Sequence, residues 1–143
     1  MSAAKLYTPD LLAATLELAH YPPLECAQLH GDARSSTCGS TLAMDLSLDE
    51  DGIIGRIGLA VRACAVGQAS AAVFARHATG RGEGEILTMA ERFCAWLEDE
   101  APMPDWPDIA LIVPAKAFPA RHGAMLLPWN AAKAALSPRL GAR

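Results

Sequence analysis

Thr41-Leu42-Ala43-Met44-Asp45-Leu46-Ser47-Leu48, then Asp49-Glu50-Asp51-Gly52, then Ile53 to Ala63: this stretch decides the fold. Leu42, Met44, Leu46 and Leu48 alternate with Thr41, Ala43, Asp45 and Ser47, the period of a strand buried on one face. Asp49 to Gly52 reads as a hairpin turn, with Gly52 suited to positive φ. Ile53 to Ala63 returns antiparallel, with Ile57, Leu59 and Val61 on one face. Upstream, Glu25 to Arg34 supplies a short edge strand, for a meander of two to three strands. Downstream of Cys64 the period changes to that of a helix, with Val66, Ala69, Val73 and His77 on one face.

Helices account for the rest. Thr8 is an N-cap before Pro9 and Asp10, and Leu12, Leu16 and Ala19 recur at helical spacing until His20, where Tyr21-Pro22-Pro23 stops the helix. A helix over Glu83 to Glu98 turns Ile86, Met89, Ala90, Phe93 and Leu97 inward. Ala101 to Pro119, punctuated by five prolines, reads as a loop with a turn of helix around Asp108 to Val113. A last helix spans Leu127 to Leu136, ended by Ser137-Pro138, with a frayed tail from about 137. The order predicts an α+β fold, a small antiparallel sheet flanked by helices, in a single domain over 1–143.

Composition narrows the function classes. The 143 residues carry 12 basic and 16 acidic side chains, a net charge of −4 that gives no overall attraction to nucleic acid or an anionic membrane. With 52% hydrophobic residues the chain is not disordered. Arg62 and Arg76 break the most apolar stretch below the ~18 residues of a membrane span. Met1 to Thr8 lacks the apolar core of a signal peptide, which predicts a cytoplasmic protein with reduced cysteines.

Four cysteines are present, with no CxxC pair. Cys94 lies beside Leu87, Ala90 and Leu97 on its helix and is expected in the core. Cys26 follows Pro22-Pro23 in a loop and is read as incidental. Cys38 lies in Ser36-Thr37-Cys38-Gly39-Ser40, just before the first strand of the hairpin, and Cys64 lies where the second strand hands over to a helix. Both stand at similar distances from the hairpin turn, so they meet at one edge. A pair of thiolates at a loop edge suits a soft metal or an iron–sulfur cluster. His122 is a further candidate ligand: on an extended segment it shares a face with Ala124. His30 and His77 carry no distinguishing context. Gly80-Arg81-Gly82-Glu83-Gly84 is not a phosphate loop, because no strand precedes it and Glu83 would repel phosphate. Trp129 is expected on the core; for Trp106, between Asp105 and Pro107, core or loop packing is the default, and an exposed partner surface is the other reading.

These short motifs, in this order, resemble the NifU N-terminal or IscU/SufU-like iron–sulfur cluster assembly scaffolds. His20-Tyr21 with its prolines is similar to that family's His-Tyr-x-x-Pro, and Thr37-Cys38-Gly39-Ser40 to its Pro-x-Cys-Gly-Asp. Ala63-Cys64-Ala65-Val66 with Ala69-Ser70-Ala71 resembles Gly-Cys-Ala-Ile-x-x-Ala-Ser-x-Ser. Arg121-His122-Gly123-Ala124 before Leu126-Leu127-Pro128-Trp129 resembles Arg-x-Lys-Cys before Leu-Leu-Pro-Trp. The resemblance implies a SufE/NifU-like fold and a scaffold or carrier, not an enzyme. It would bind iron, zinc or a nascent iron–sulfur cluster through Cys38 and Cys64, with a cysteine desulfurase and recipient apoproteins as partners. Two positions depart from the pattern: Ser40 stands where the family has an aspartate and Ala124 where it has its third cysteine, so His122, a small thiol or a second subunit would complete the ligand set. Two other readings follow from the same residues. One is a SufE-like sulfur acceptor carrying a persulfide on Cys64. The other is a degenerate paralogue that keeps only a protein-binding or regulatory surface.

Overall fold

A computed structural model describes residues 6–141. The elements run α1 (Pro9–Thr15), β1 (Leu29–Arg34), β2 (Thr41–Leu48), β3 (Ile54–Arg62), α2 (Ala65–Ala78), α3 (Glu83–Leu97), α4 (His122–Met125) and α5 (Leu127–Gly141), with short 3-10 turns between several of them. The three strands form one antiparallel sheet in the order β1-β2-β3. The α+β expectation therefore holds, and the edge strand is real, though shortened to Leu29–Arg34.

The hairpin turn is built as its residues dictate. The Asp49 carboxylate accepts from the Asp51 and Ile53 amides at 2.8 and 3.0 Å, and Gly52 takes φ +77°. Leu42, Met44 and Leu46 are buried on the inner face, where helices cover the sheet. Gly31 of β1 makes the closest approach: a Cβ there would lie 2.2 Å from the Ala131 carbonyl oxygen of α5. Glycine on the strand and alanines on the helix are what let the two backbones come so near. α2 is the central helix, buried on nearly every side through Val66, Ala69, Ala72, Val73 and Phe74. Phe74 packs against Trp106 and Trp129, and Trp129 in turn stacks on Phe93.

Several expectations are corrected. Of the two readings of Trp106 the exposed one falls and core packing holds, because the proline-rich segment folds back as three 3-10 turns and the Trp106 indole N–H donates to the Val73 carbonyl at 3.0 Å. Cys94 is exposed rather than buried: it stands about 100° round the helix from inward-facing Phe93. In α1 the buried residues are Leu11 and Ala14, three apart on one face, while Leu12, about 100° round the helix from Leu11, is exposed, as is Leu16, where the chain tightens to 3-10 over Leu16–His20. Ser137-Pro138 does not end α5, which continues to Gly141. A proline forfeits its own N–H bond without having to end a helix this near its last turn. Of the tail expected to fray, Ala142 and Arg143 lie outside the described residues, as do Met1 to Lys5. No helix among the described residues is long and apolar enough to cross a membrane.

Candidate functional site

Cys38 sits in the loop Ser35–Ser40 that joins β1 to β2. The loop is pinned by the Ser35 amide donating to the Ser40 carbonyl at 2.8 Å and the Gly39 amide donating to the Ser35 carbonyl at 2.9 Å, with Gly39 at φ +70°. The Cys38 sulfur lies 3.4 Å from the Ser35 hydroxyl and 3.0 Å from that of Ser40. Hydrogen bonds with these two serines, with the charge of Arg121 added, hold the Cys38 thiol below the usual cysteine range, against a small opposing effect of burial. The thiol donates to the Ser35 hydroxyl, and Cys38 remains open to solvent, since it is exposed.

Cys64 is the N-cap residue of α2. Its backbone is extended, its side chain makes no capping bond, and it is half-buried. β2 pairs with β3 so that Thr41 faces Arg62, two residues before Cys64. The two cysteines therefore stand at the same end of the sheet, as the hairpin count predicts.

α4 closes this end and touches both cysteine-bearing segments. On one side a Cβ on Gly123 would lie 2.4 Å from the Ser35 hydroxyl, and the Thr37 hydroxyl donates to the Ala120 carbonyl at 3.1 Å. On the other, Ala124 lies against the first turn of α2, where a Cβ on Gly67 would be 3.5 Å from the Ala124 methyl, and the Ser70 hydroxyl donates to the Met125 carbonyl at 2.6 Å. Ala124 is fully buried in this seam.

His122 is placed differently from the expectation. The segment is helical, not extended, and two residues along a helix point about 200° apart. His122 therefore leaves Ala124's side, and its Nε2 donates to the Lys116 carbonyl at 2.7 Å. Among the described residues, no group of three or more His, Cys, Asp or Glu side chains is placed to hold a metal ion. Ser35 and Arg121, which tune Cys38, were not singled out from the sequence as its partners. The signal for Ser35 was its place three residues before Cys38 in a small-residue turn, and for Arg121 its place at the head of the third motif.

No protein-family model matches the chain, and neither does any curated protein. Solved structures do match over nearly its whole length. One is the N-terminal part of a nitrogen-fixing NifU-like protein from Brucella abortus, with TM-score 0.87 and 24% identity, covering 96% of each chain. The chain has the NifU-like fold. A second match is a candidate iron–sulfur cluster assembly scaffold protein for the SUF system from Fervidobacterium islandicum, with TM-score 0.79 and 20% identity over 94% of this chain and 99% of that one. In this NifU-like fold three of the four motif segments read from the sequence, those of Cys38, Cys64 and Arg121–Ala124, meet at α4.

Proposed function

We propose that the chain is an iron–sulfur cluster assembly scaffold or carrier whose exchange site is Cys38 and Cys64, with the cluster, or iron or zinc, as cargo. The observation that carries this reading is the convergence at α4, which packs the Ser35–Ser40 loop and the first turn of α2 against one another. Scaffold function in a structural neighbour of the same fold supports it. The chain provides two thiolates rather than three, because the third motif position holds buried Ala124 and the carboxylate position holds Ser40. Zinc and [2Fe–2S] sites take four donors, so the remaining ligands come from a small thiol, solvent or a partner. An incomplete set holds cargo weakly, which suits transfer more than storage. Cys38, whose thiol is held below the usual cysteine range, is the nucleophile for incoming sulfur: as the thiolate it attacks the outer sulfur of a desulfurase persulfide, and the desulfurase cysteine leaves as thiolate. We place the protein in the cytoplasm with a cysteine desulfurase and recipient apoproteins as partners, acting without turnover of its own.

Anaerobic purification followed by assay of iron, zinc and acid-labile sulfide tests this directly. Bound metal that is lost in both Cys38→Ala and Cys64→Ala is the expected result. Metal-free protein that takes labelled sulfur onto Cys64 from a desulfurase would replace the reading by that of a sulfur acceptor. Protein that takes up neither would leave only a partner-binding module.

A further inference from the structure

The outer face of the sheet, away from the helices, carries a feature that the exchange site does not use. At the cysteine end, Arg34 of β1, Thr41 of β2 and Arg62 of β3 stand side by side in register. The next outward row is Asp32, Ala43 and Ala60. Together these six residues line an open groove of about 660 Å³. Arg34 and Arg62 are both exposed, and neither makes an ion pair or side-chain hydrogen bond among the described residues. Asp32, the one acid on the lining, is already bonded to His30 at 3.0 Å. Ala43 and Ala60 leave the floor low.

We propose that this groove docks an extended, carboxylate-rich segment of a partner protein and so brings that partner to Cys38 and Cys64. Two guanidiniums on either side of one strand have backbones about 10 Å apart, two strand spacings, and each presents a fork that fits a carboxylate. An extended chain places alternate side chains about 7 Å apart on one face, within reach of both arginines. The alanine floor lets such a chain lie flat across the strands. A net charge of −4 makes an uncompensated cationic row a local exception, and that is what selects an acidic partner at this spot rather than elsewhere on the surface. A single inorganic anion would meet one guanidinium at a time and leave most of the groove empty, so it should compete poorly with an extended chain that engages both. That the docked partner is the one exchanging sulfur or cluster rests on the function proposed above; the groove's preference for carboxylates does not.

The test is fluorescence anisotropy with a fluorescein-labelled octapeptide alternating glutamate and serine, titrated with the full chain at low salt. Saturable binding is expected, with no binding of the glutamine–serine counterpart. Arg34→Gln and Arg62→Gln should each weaken it about threefold, and the pair together about tenfold, in line with solvent-exposed charge pairs. Ala60→Trp, which raises the groove floor without changing charge, should weaken it as well. Cys38→Ala with Cys64→Ala should leave the affinity unchanged, which separates failure of the groove from failure of the exchange site. No saturable binding would overturn the proposal, as would equal binding of the glutamine peptide or unchanged affinity in the double arginine variant. So would displacement by inorganic phosphate at an ionic strength where sodium chloride leaves the peptide bound, since the groove would then be a simple anion site.

Discussion

Cys38 is held by two serine hydroxyls and faces the charge of Arg121, and each favours the thiolate over the thiol. The consequence is kinetic, because alkylation proceeds through the thiolate. In a variant with Cys26, Cys64 and Cys94 changed to serine, the rate of iodoacetamide labelling against pH should have its midpoint below the ~8.5 of an ordinary thiol. Ser35→Ala and Ser40→Ala should each move that midpoint upward, because each removes a hydroxyl whose hydrogen bond with Cys38 lowers its pKa. Ser40→Asp should move it up further, since a carboxylate 3 Å from the sulfur repels the thiolate where the serine hydroxyl now bonds to it at 3.0 Å. A midpoint at the ordinary value in the parent and in all three variants would remove the case for Cys38 as the nucleophile.

At the scale of elements, the decisive contact is between β1 and α5. Any side chain at Gly31 would meet the α5 backbone at 2.2 Å from the Ala131 oxygen and 2.4 Å from the Ala135 nitrogen, so the helix must retreat from the sheet to admit it. Gly31→Ala should therefore cost about 2–4 kcal/mol in urea unfolding. Gly84→Ala, in the first turn of α3 with nothing within 4 Å of the new methyl, should instead stabilise by roughly 0.5 kcal/mol. Similar losses at both positions would mean that β1 and α5 are not in backbone contact. The contrast also shows what the sequence could display. The hairpin of β2 and β3 and the inward face of α3 were legible because large apolar residues repeat with a clear period. The packing of α5 was not, because alanine serves equally in a core and on a surface, and Gly31 reveals its role only when the helix is set beside it. Trp106 stayed between core and surface for a related reason: prolines mark a segment as irregular without saying which way it folds. The site divides the same way. Cys38 and Cys64 could be brought together by counting residues out from one hairpin, a local relation. The helical state of α4, which turns His122 away from Ala124, depends on contacts of Gly123 with Ser35 and of Ala124 with Gly67, 88 and 57 positions earlier in the chain.

For the whole molecule, cargo binding and folding are one equilibrium, because a ligand held only by the native arrangement stabilises it by mass action. Zinc at 100 times its dissociation constant should add about 2.7 kcal/mol, which at roughly 3 °C per kcal/mol for a chain of this size raises Tm by about 8 °C. Cys38→Ala and Cys64→Ala should each abolish the rise, since two thiolates cannot be reduced to one and still define a site. Ala124→Cys supplies the decisive sign. Without metal it should lower Tm, because Ala124 is fully buried against Gly67 and an added sulfur overpacks the seam by about 1 kcal/mol. With zinc it should overtake the parent protein, because the new sulfur enters where α4 already touches both cysteine-bearing segments and adds a third anionic ligand. The advantage should widen as pH rises from neutral to mildly alkaline, since the added thiol must lose its proton to bind. The measurement is differential scanning calorimetry of the four proteins with and without zinc under reducing conditions. A zinc-induced rise that persists in Cys38→Ala would place the ion elsewhere. An Ala124→Cys chain that is destabilised equally with and without zinc would mean that α4 closes the end of the sheet as packing alone.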